Sequence, residues 1–253
     1  MTLAATPADL VELDYLAAAL APPCALGPFT LTGRLARSDT ALLFTARLQA
    51  DEVVLKLTGS GLAPTLAREL SLLCACADAD VPNVIRPIER ELVWLFAAAD
   101  RPAAAMVLPL LRGGDLASLM GRAARSGQLG PRLALEVARP LANALRGLLC
   151  DLEQPLLHGD LRAGSVLLPL PNSSPDDLVL IDLDRAHEME PSAAASELRA
   201  FASILGLLAT GRGDQIDKPT SNSALNRLLD RCHRVEYQSL ADHRFWRDLA
   251  ACP

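Results

Sequence analysis

The segment LLHGDLRAGSVLLPLPNSSPDDLVLIDLDRA, residues 156–186, constrains the fold more than any other stretch of this chain. SVLLPL and DLVLIDL are short apolar runs, and PNSSPD between them has the composition of a turn, so the pair reads as a hairpin. His158-Gly159-Asp160 then falls in the turn before the first strand and Asp182 ends the second. Two carboxylates are thereby expected at one end of one small sheet. Such a pair suits a hard divalent cation plus a hydroxyl nucleophile: oxygen ligands hold Mg²⁺, and a nearby carboxylate orients the nucleophile or accepts its proton.

The rest of the chain frames this hairpin. Residues 7–20 read as a helix, with Thr6 as N-cap and Pro22-Pro23 as its stop. Runs at 29–35, 41–48 and 52–58 read as strands, the last two joined tightly through Gln49-Ala50-Asp51. Pro64 opens a helix over TLARELSLLCACA, and 91–97 and 104–110 read as two further strands. From Asp115 onward helices dominate, at 115–125, 131–149, 194–209 and 222–232. Strands, a helix, strands and then a helical region make an α+β order with two lobes and a hinge near 109–115. A length of 253 residues suits one two-lobed domain or two small ones, and with 4 % aromatics the core must be aliphatic.

Several function classes are disfavoured. A net charge of −6 argues against sequence-independent nucleic-acid binding. The six cysteines have no zinc-finger spacing and read as reduced thiols. The N-terminus is acidic and makes a poor secretion signal, and Arg, Asp or Pro interrupts each apolar stretch. A soluble, cytoplasmic protein without a membrane span is the expectation.

A second chemical feature lies upstream. DEVVLKLT places Lys56 within an apolar strand, where an unpartnered charge is costly. Either this strand is an edge with the lysine exposed, or the lysine has a partner. Glu69, thirteen residues on, is the only acidic residue of its helix before Asp78.

Taken together, these motifs resemble the protein kinases. Their His-x-Asp-x-x-x-x-Asn loop, hairpin and Asp-Phe-Gly correspond here to His158-Gly159-Asp160, Ser165 and Asp182-Leu183-Asp184. His-Gly-Asp also occurs in kinase-like small-molecule phosphotransferases. The strand lysine and helix glutamate match Lys56 and Glu69, and ADVPNVIRPIE is similar to the stretch leading into the fourth kinase strand. MVLPLLRGGDL resembles the kinase gatekeeper and hinge. ASELRAFASILGLLATG resembles the core helix of the large lobe, with Glu197 where kinases usually have aspartate. The resemblance spans about 29–211.

It implies a two-lobed protein-kinase-like fold: an N-terminal helical extension (1–28), a β-rich N-lobe (29–111) and a reduced helical C-lobe (112–253). It also implies ATP and Mg²⁺ as cofactors. Asp160 would be the catalytic base and Arg162 would neutralise the γ-phosphate. Lys56, held by Glu69, would grip the α/β-phosphates, while Asp182 with Ser165 would hold the metal. Leu108 would be the gatekeeper. Pro109 would offer adenine its carbonyl, Leu111 its N–H, and Asp115 would meet the ribose. Ala36, Ser38 and Ala41 occupy the three positions of the glycine-rich phosphate loop.

The departures matter as much. None of Ala36, Ser38 and Ala41 adopts positive φ as freely as glycine. Ser165 is shorter than asparagine, and Asp184 stands in place of glycine, either as a further metal ligand or paired with Arg185. Only fourteen residues separate Asp182 from Glu197, with no Ala-Pro-Glu motif. His187, Glu188, Glu190 and Pro191 make a short acidic loop there, and Ser192 is its one obvious phosphorylation site. The implied function is an ATP-dependent phosphotransferase acting on a hydroxyl of an unidentified protein or small molecule. The alternative is a pseudokinase acting as a nucleotide-binding or interaction module. A protein partner would meet the N-terminal helix or the basic residues Arg227, Arg231, Arg234, Arg244 and Arg247, which the solvated side of a helix also explains.

Overall fold

In this computed structural model, which describes residues 5–97, 101–211 and 220–252, the chain divides into two units. One comprises Met1–Ala77 with Ile85–Leu110, the other Asp78–Val84 with Leu111–Pro253.

The first unit begins with α1 (Pro7–Ala19), capped reciprocally. The Asp9 N–H donates to Thr6 Oγ1 at 3.3 Å, and the Thr6 N–H donates to Asp9 Oδ2 at 2.8 Å. Six strands follow: β1 (Cys24–Leu26), β2 (Phe29–Arg37), β3 (Leu42–Leu48), β4 (Asp51–Gly59), β5 (Val93–Ala97) and β6 (Arg101–Pro109). They form one antiparallel sheet of order β1-β2-β3-β4-β6-β5, with α2 (Ala63–Asp78) inserted after β4. Val53, Leu55 and Leu57 of β4 enter a core shared with Leu13 and Leu16 of α1 and with Phe29, Leu31 and Phe44. Val54, Lys56 and Thr58 alternate onto the opposite face. Residues 53–59 are buried throughout, as a central strand covered on both faces requires, which accounts for the unbroken apolar run. The helix of segment 1–28 is part of the sheet's own packing, since Leu13 and Leu16 are wholly buried in it.

The second unit is helical around small sheets. Its elements are β7 (Gly114–Asp115), α3 (Leu116–Ser126), α4 (Pro131–Cys150), β8 (Leu156–Leu157), β9 (Val166–Leu168), β10 (Val179–Leu180), β11 (His187–Glu188), α5 (Pro191–Thr210), α6 (Ser223–His233) and α7 (His243–Ala250). The hairpin β9–β10 is antiparallel and takes β7 as a third strand, in the order β10-β9-β7. Asn83 ties the incoming segment to it. Its Nδ2 donates to the carbonyls of Asp176 (3.0 Å) and Leu178 (2.9 Å), and its own carbonyl accepts from the Leu180 N–H at 2.7 Å.

Three expectations change. The acidic loop contains a strand, because His187 and Glu188 pair with Leu157 and Leu156 as β11 against β8, and α5 begins at Pro191. α5 also meets the length and hydropathy of a membrane span even with Glu197 and Arg199 in its run, where no apolar stretch was expected to. Leu198, Phe201, Ala202, Leu205 and Leu208 on it are wholly buried, so it is the core helix of this unit. The C-terminal basic residues are largely neutralised: Arg231 pairs with Asp248 and Glu236, Arg234 with Asp230, Arg244 with Asp242 and Arg247 with Asp248.

Candidate functional site

Lys56 lies between Leu43 of β3 and Met106 of β6, so β4 is a central strand and the edge-strand alternative is set aside. Its Nζ donates to Glu69 Oε1 at 2.9 Å, and the two side chains are 7 % and 3 % exposed. Glu69 shares the buried stripe of α2 with Leu66, Leu70, Leu73 and Cys76, a helical spacing that aims the carboxylate at the sheet. An ion pair this dry persists only with good geometry, because desolvating both charges consumes most of their attraction.

The β2–β3 turn differs from a glycine-rich loop. The Ser38 N–H donates to the Ala41 carbonyl at 2.9 Å, and Ser38 Oγ accepts from the N–H groups of Ala41 (3.1 Å) and Thr40 (3.3 Å). Ala36 and Ser38 are exposed and Ala41 is buried, and no residue of 36–41 has positive φ. Two backbone donors that would face a phosphate are thus satisfied by a local hydroxyl.

Farther along, Pro109 ends β6 opposite Val53, and Leu111 begins the second unit. The N–H groups of Arg112 and Gly113 donate to the carbonyls of Pro169 and Leu168. Asp115 caps α3, its Oδ1 accepting from the Ser118 N–H at 2.6 Å.

In the second unit the loop 158–165 is held from three sides. His158 is wholly buried; its Nε2 bonds the Ile181 carbonyl at 2.8 Å, and its Nδ1 accepts from the Asp160 N–H at 3.3 Å. These partners select one neutral tautomer, and burial lowers the imidazole pKa in the same sense. The His158 N–H donates to Glu197 Oε2 at 2.6 Å. Burial pushes the Glu197 carboxyl up to about 7, against the backbone hydrogen bonds from His158 and Gly159. Gly159 is required where it stands: its φ is +81°, and a Cβ would overlap the Arg185 carbonyl oxygen. Asp160, so anchored, keeps a side chain 38 % exposed, with Oδ2 3.3 Å from Arg162 Nε.

Ser165 sits differently from the expectation. It is wholly buried, its Oγ donates to the Arg162 carbonyl at 2.7 Å, and it accepts from the Arg162 N–H at 3.0 Å. The hydroxyl ties the loop to itself, where the resemblance implies a metal ligand. Asp182 follows β10 in the left-handed region, at φ 62° and ψ 63°, and leads into the single turn Leu183–Arg185 that carries Asp184. A non-glycine residue held there stores strain of roughly 1 kcal/mol or more, a feature that concentrates at functional sites. Asp182 and Asp184 are both half-exposed. Among the described residues no three His, Cys, Asp or Glu form a protein-only metal cage. The donor set fits Mg²⁺ bound through one or two carboxylates and completed by substrate phosphates and water.

Motif reading left Glu197 and His158 without roles in the site, although a lone carboxylate in the apolar run ahead of Arg199 was a signal for one of them. A cavity also opens beside Asp160, between its loop, β11 and the start of α5. No spacing in the sequence announces it.

Comparison with known proteins bears on the fold. No family model matches the chain, and no curated protein matches it. Among solved structures, the crystal structure of a kinase domain superposes with a TM-score of 0.60 at 13 % identity, over 76 % of this chain and 67 % of that one. The fold is α+β and protein-kinase-like, with an antiparallel β-sheet unit and a helical unit.

Proposed function

We propose that the chain is an ATP-dependent phosphotransferase that moves the γ-phosphate of ATP to a hydroxyl. The buried Lys56–Glu69 pair carries this reading, because a hydrophobic pair would fill the same space at lower desolvation cost. A retained buried ammonium fits a phosphate-binding role. Lys56, fixed by Glu69, neutralises the α/β-phosphates. Pro109 and Leu111 present backbone groups to the adenine, and Asp115 meets the ribose. Asp182, with Asp184 nearby, holds Mg²⁺, which supplies charge neutralisation on the phosphates. Arg162 neutralises the transferring phosphoryl group, and Asp160 orients the acceptor hydroxyl and takes its proton. Most of the rate gain comes from positioning and charge.

The closed Ser38 turn and the buried Ser165 hydroxyl favour a second reading, a pseudokinase with weak nucleotide binding and little turnover. A thermal-shift titration with ATP and Mg²⁺ tests the first reading: it expects stabilisation that Lys56→Ala and Asp182→Ala remove. Absence of any shift at millimolar nucleotide refutes it. ATP turnover by wild type, lost in Asp160→Asn, separates the enzyme from the pseudokinase.

A further inference from the structure

Thr58 carries a buried hydroxyl that the proposed mechanism leaves unused. It follows Lys56 by two residues on β4, so both side chains stand on one face of the sheet, rooted about 7 Å apart along the strand. Thr58 Oγ1 donates to the Thr40 carbonyl at 2.7 Å. Thr40 lies just before β3, in the turn that stands where kinases have their phosphate loop. This bond draws the backbone of the turn down onto the face that carries Lys56.

The same turn is closed on itself by the Ser38 N–H, which donates to the Ala41 carbonyl, and by Ser38 Oγ, which accepts from the N–H groups of Thr40 and Ala41. On either side the chain is fixed. Arg37 Nη1 pairs with Asp14 Oδ1 of α1 at 2.6 Å, and Arg34 Nη2 donates to the Ala17 carbonyl at 2.7 Å. From Leu42 onward β3 is paired with β4. The part left to move is 38–41, and the hydroxyls of Ser38 and Thr58 hold it. So held, the turn places a carbonyl oxygen on the Lys56 face while two of its N–H groups are occupied by Ser38. Phosphate oxygens require the reverse, with those N–H groups free to donate and the carbonyl lifted away.

We infer that Thr58 and Ser38 are positioning residues that latch the 38–41 turn shut on the phosphate side of Lys56, so that a nucleotide's phosphates bind only when the turn opens; the inference rests on the phosphotransferase reading. The apparent affinity is then the intrinsic affinity reduced by the fraction of open molecules. Each hydroxyl favours the closed turn by the net worth of a hydrogen bond, a factor of about three to ten. Removing either one raises the open fraction and tightens ATP binding, the opposite of what loss of a direct ligand does. Adenosine carries no phosphate to meet the turn, so its affinity is indifferent to the latch.

The test is isothermal titration of wild type, Thr58→Val, Ser38→Ala and the double variant, with the non-hydrolysable ATP analogue AMP-PNP plus Mg²⁺ and, separately, with adenosine. Each single variant should bind AMP-PNP about three- to tenfold tighter than wild type, and the double variant about tenfold tighter or more. Adenosine affinity should stay within about twofold throughout. Urea unfolding without nucleotide should show Thr58→Val less stable than wild type, so that stability falls while affinity rises. Ser38 is exposed, so Ser38→Ala tests the latch without disturbing the core. AMP-PNP affinity unchanged or weakened in the variants of a wild type that binds it is the mark of a merely structural role and overturns the inference. An equal gain for adenosine overturns it too. No AMP-PNP binding by any of these proteins refutes the phosphotransferase reading itself and takes this inference with it.

Discussion

Replacing Glu69 by leucine leaves the Lys56 ammonium buried in β4 without its carboxylate. At 2.9 Å the pair attracts with about 6 kcal/mol for an effective dielectric of about 20. Desolvating two ions costs a comparable amount, so the pair as a whole adds little to stability. Removing one member is different, because the survivor loses the charge that offset most of its desolvation. The expected loss for Glu69→Leu, and likewise for Lys56→Met, is about 3–5 kcal/mol. The double variant Lys56→Met/Glu69→Leu fills the same space with apolar groups and should return to within about 1 kcal/mol of wild type, or exceed it. Urea unfolding followed by circular dichroism reads all four proteins, and the coupling is the difference between the double variant and the sum of the singles. All three variants should lose stabilisation by ATP, whatever their own stability. Additive losses in the double variant, or a single variant costing under about 1 kcal/mol, would refute the claim that the pair is dry and mutually dependent.

Other consequences follow from the second unit. Because burial raises the folded Glu197 carboxyl from its ordinary 4.5 to about 7, its contribution to stability is complete at low pH and is lost as pH rises through that interval. Urea midpoints measured across it should fall with pH in wild type and less steeply in Glu197→Gln; identical slopes would contradict the assignment. Asp182→Asn keeps a side chain that tolerates the left-handed region, so the nucleotide-free melting temperature should stay near wild type while the Mg²⁺-dependent part of ATP stabilisation disappears. Ser165→Ala strips the loop of its Oγ bonds and should cost about 1–3 kcal/mol in urea unfolding. Ser165→Asn overpacks a wholly buried position and should lower ATP turnover, where an outward-facing metal ligand would have raised it.

The elements that carry periodicity were legible in the sequence. The helix at α1 with its Thr6 cap, the strands β2 to β4, and the long helices α4 and α5 follow from local spacing, turn residues and apolar runs. β1, β7, β8 and β11 were not, because two or three residues contain no period to detect. They exist because a distant strand offers partners, as Leu157 does for His187. α7 was missed as well: its charges read as a solvated patch until Asp248 and Asp242 were placed against Arg231 and Arg244.

The same division runs through the candidate site. Lys56 inside an apolar strand, the hairpin that carries Asp160 and Asp182, and the resemblance to kinases that adds Glu69 were all legible in the sequence. The direction in which a hydroxyl points was not encoded that way. Ser38 on the surface and Ser165 in the interior both bond nearby backbone, and only the folded loops reveal it. Nor does any local pattern place Glu197 2.6 Å from the His158 nitrogen across thirty-nine residues of chain, or leave a cavity beside Asp160. Local chemistry, written in the order of residues, determined which groups and which longer elements this protein has. Packing of segments far apart in the chain decided which of those groups are spent on one another and which still face outward.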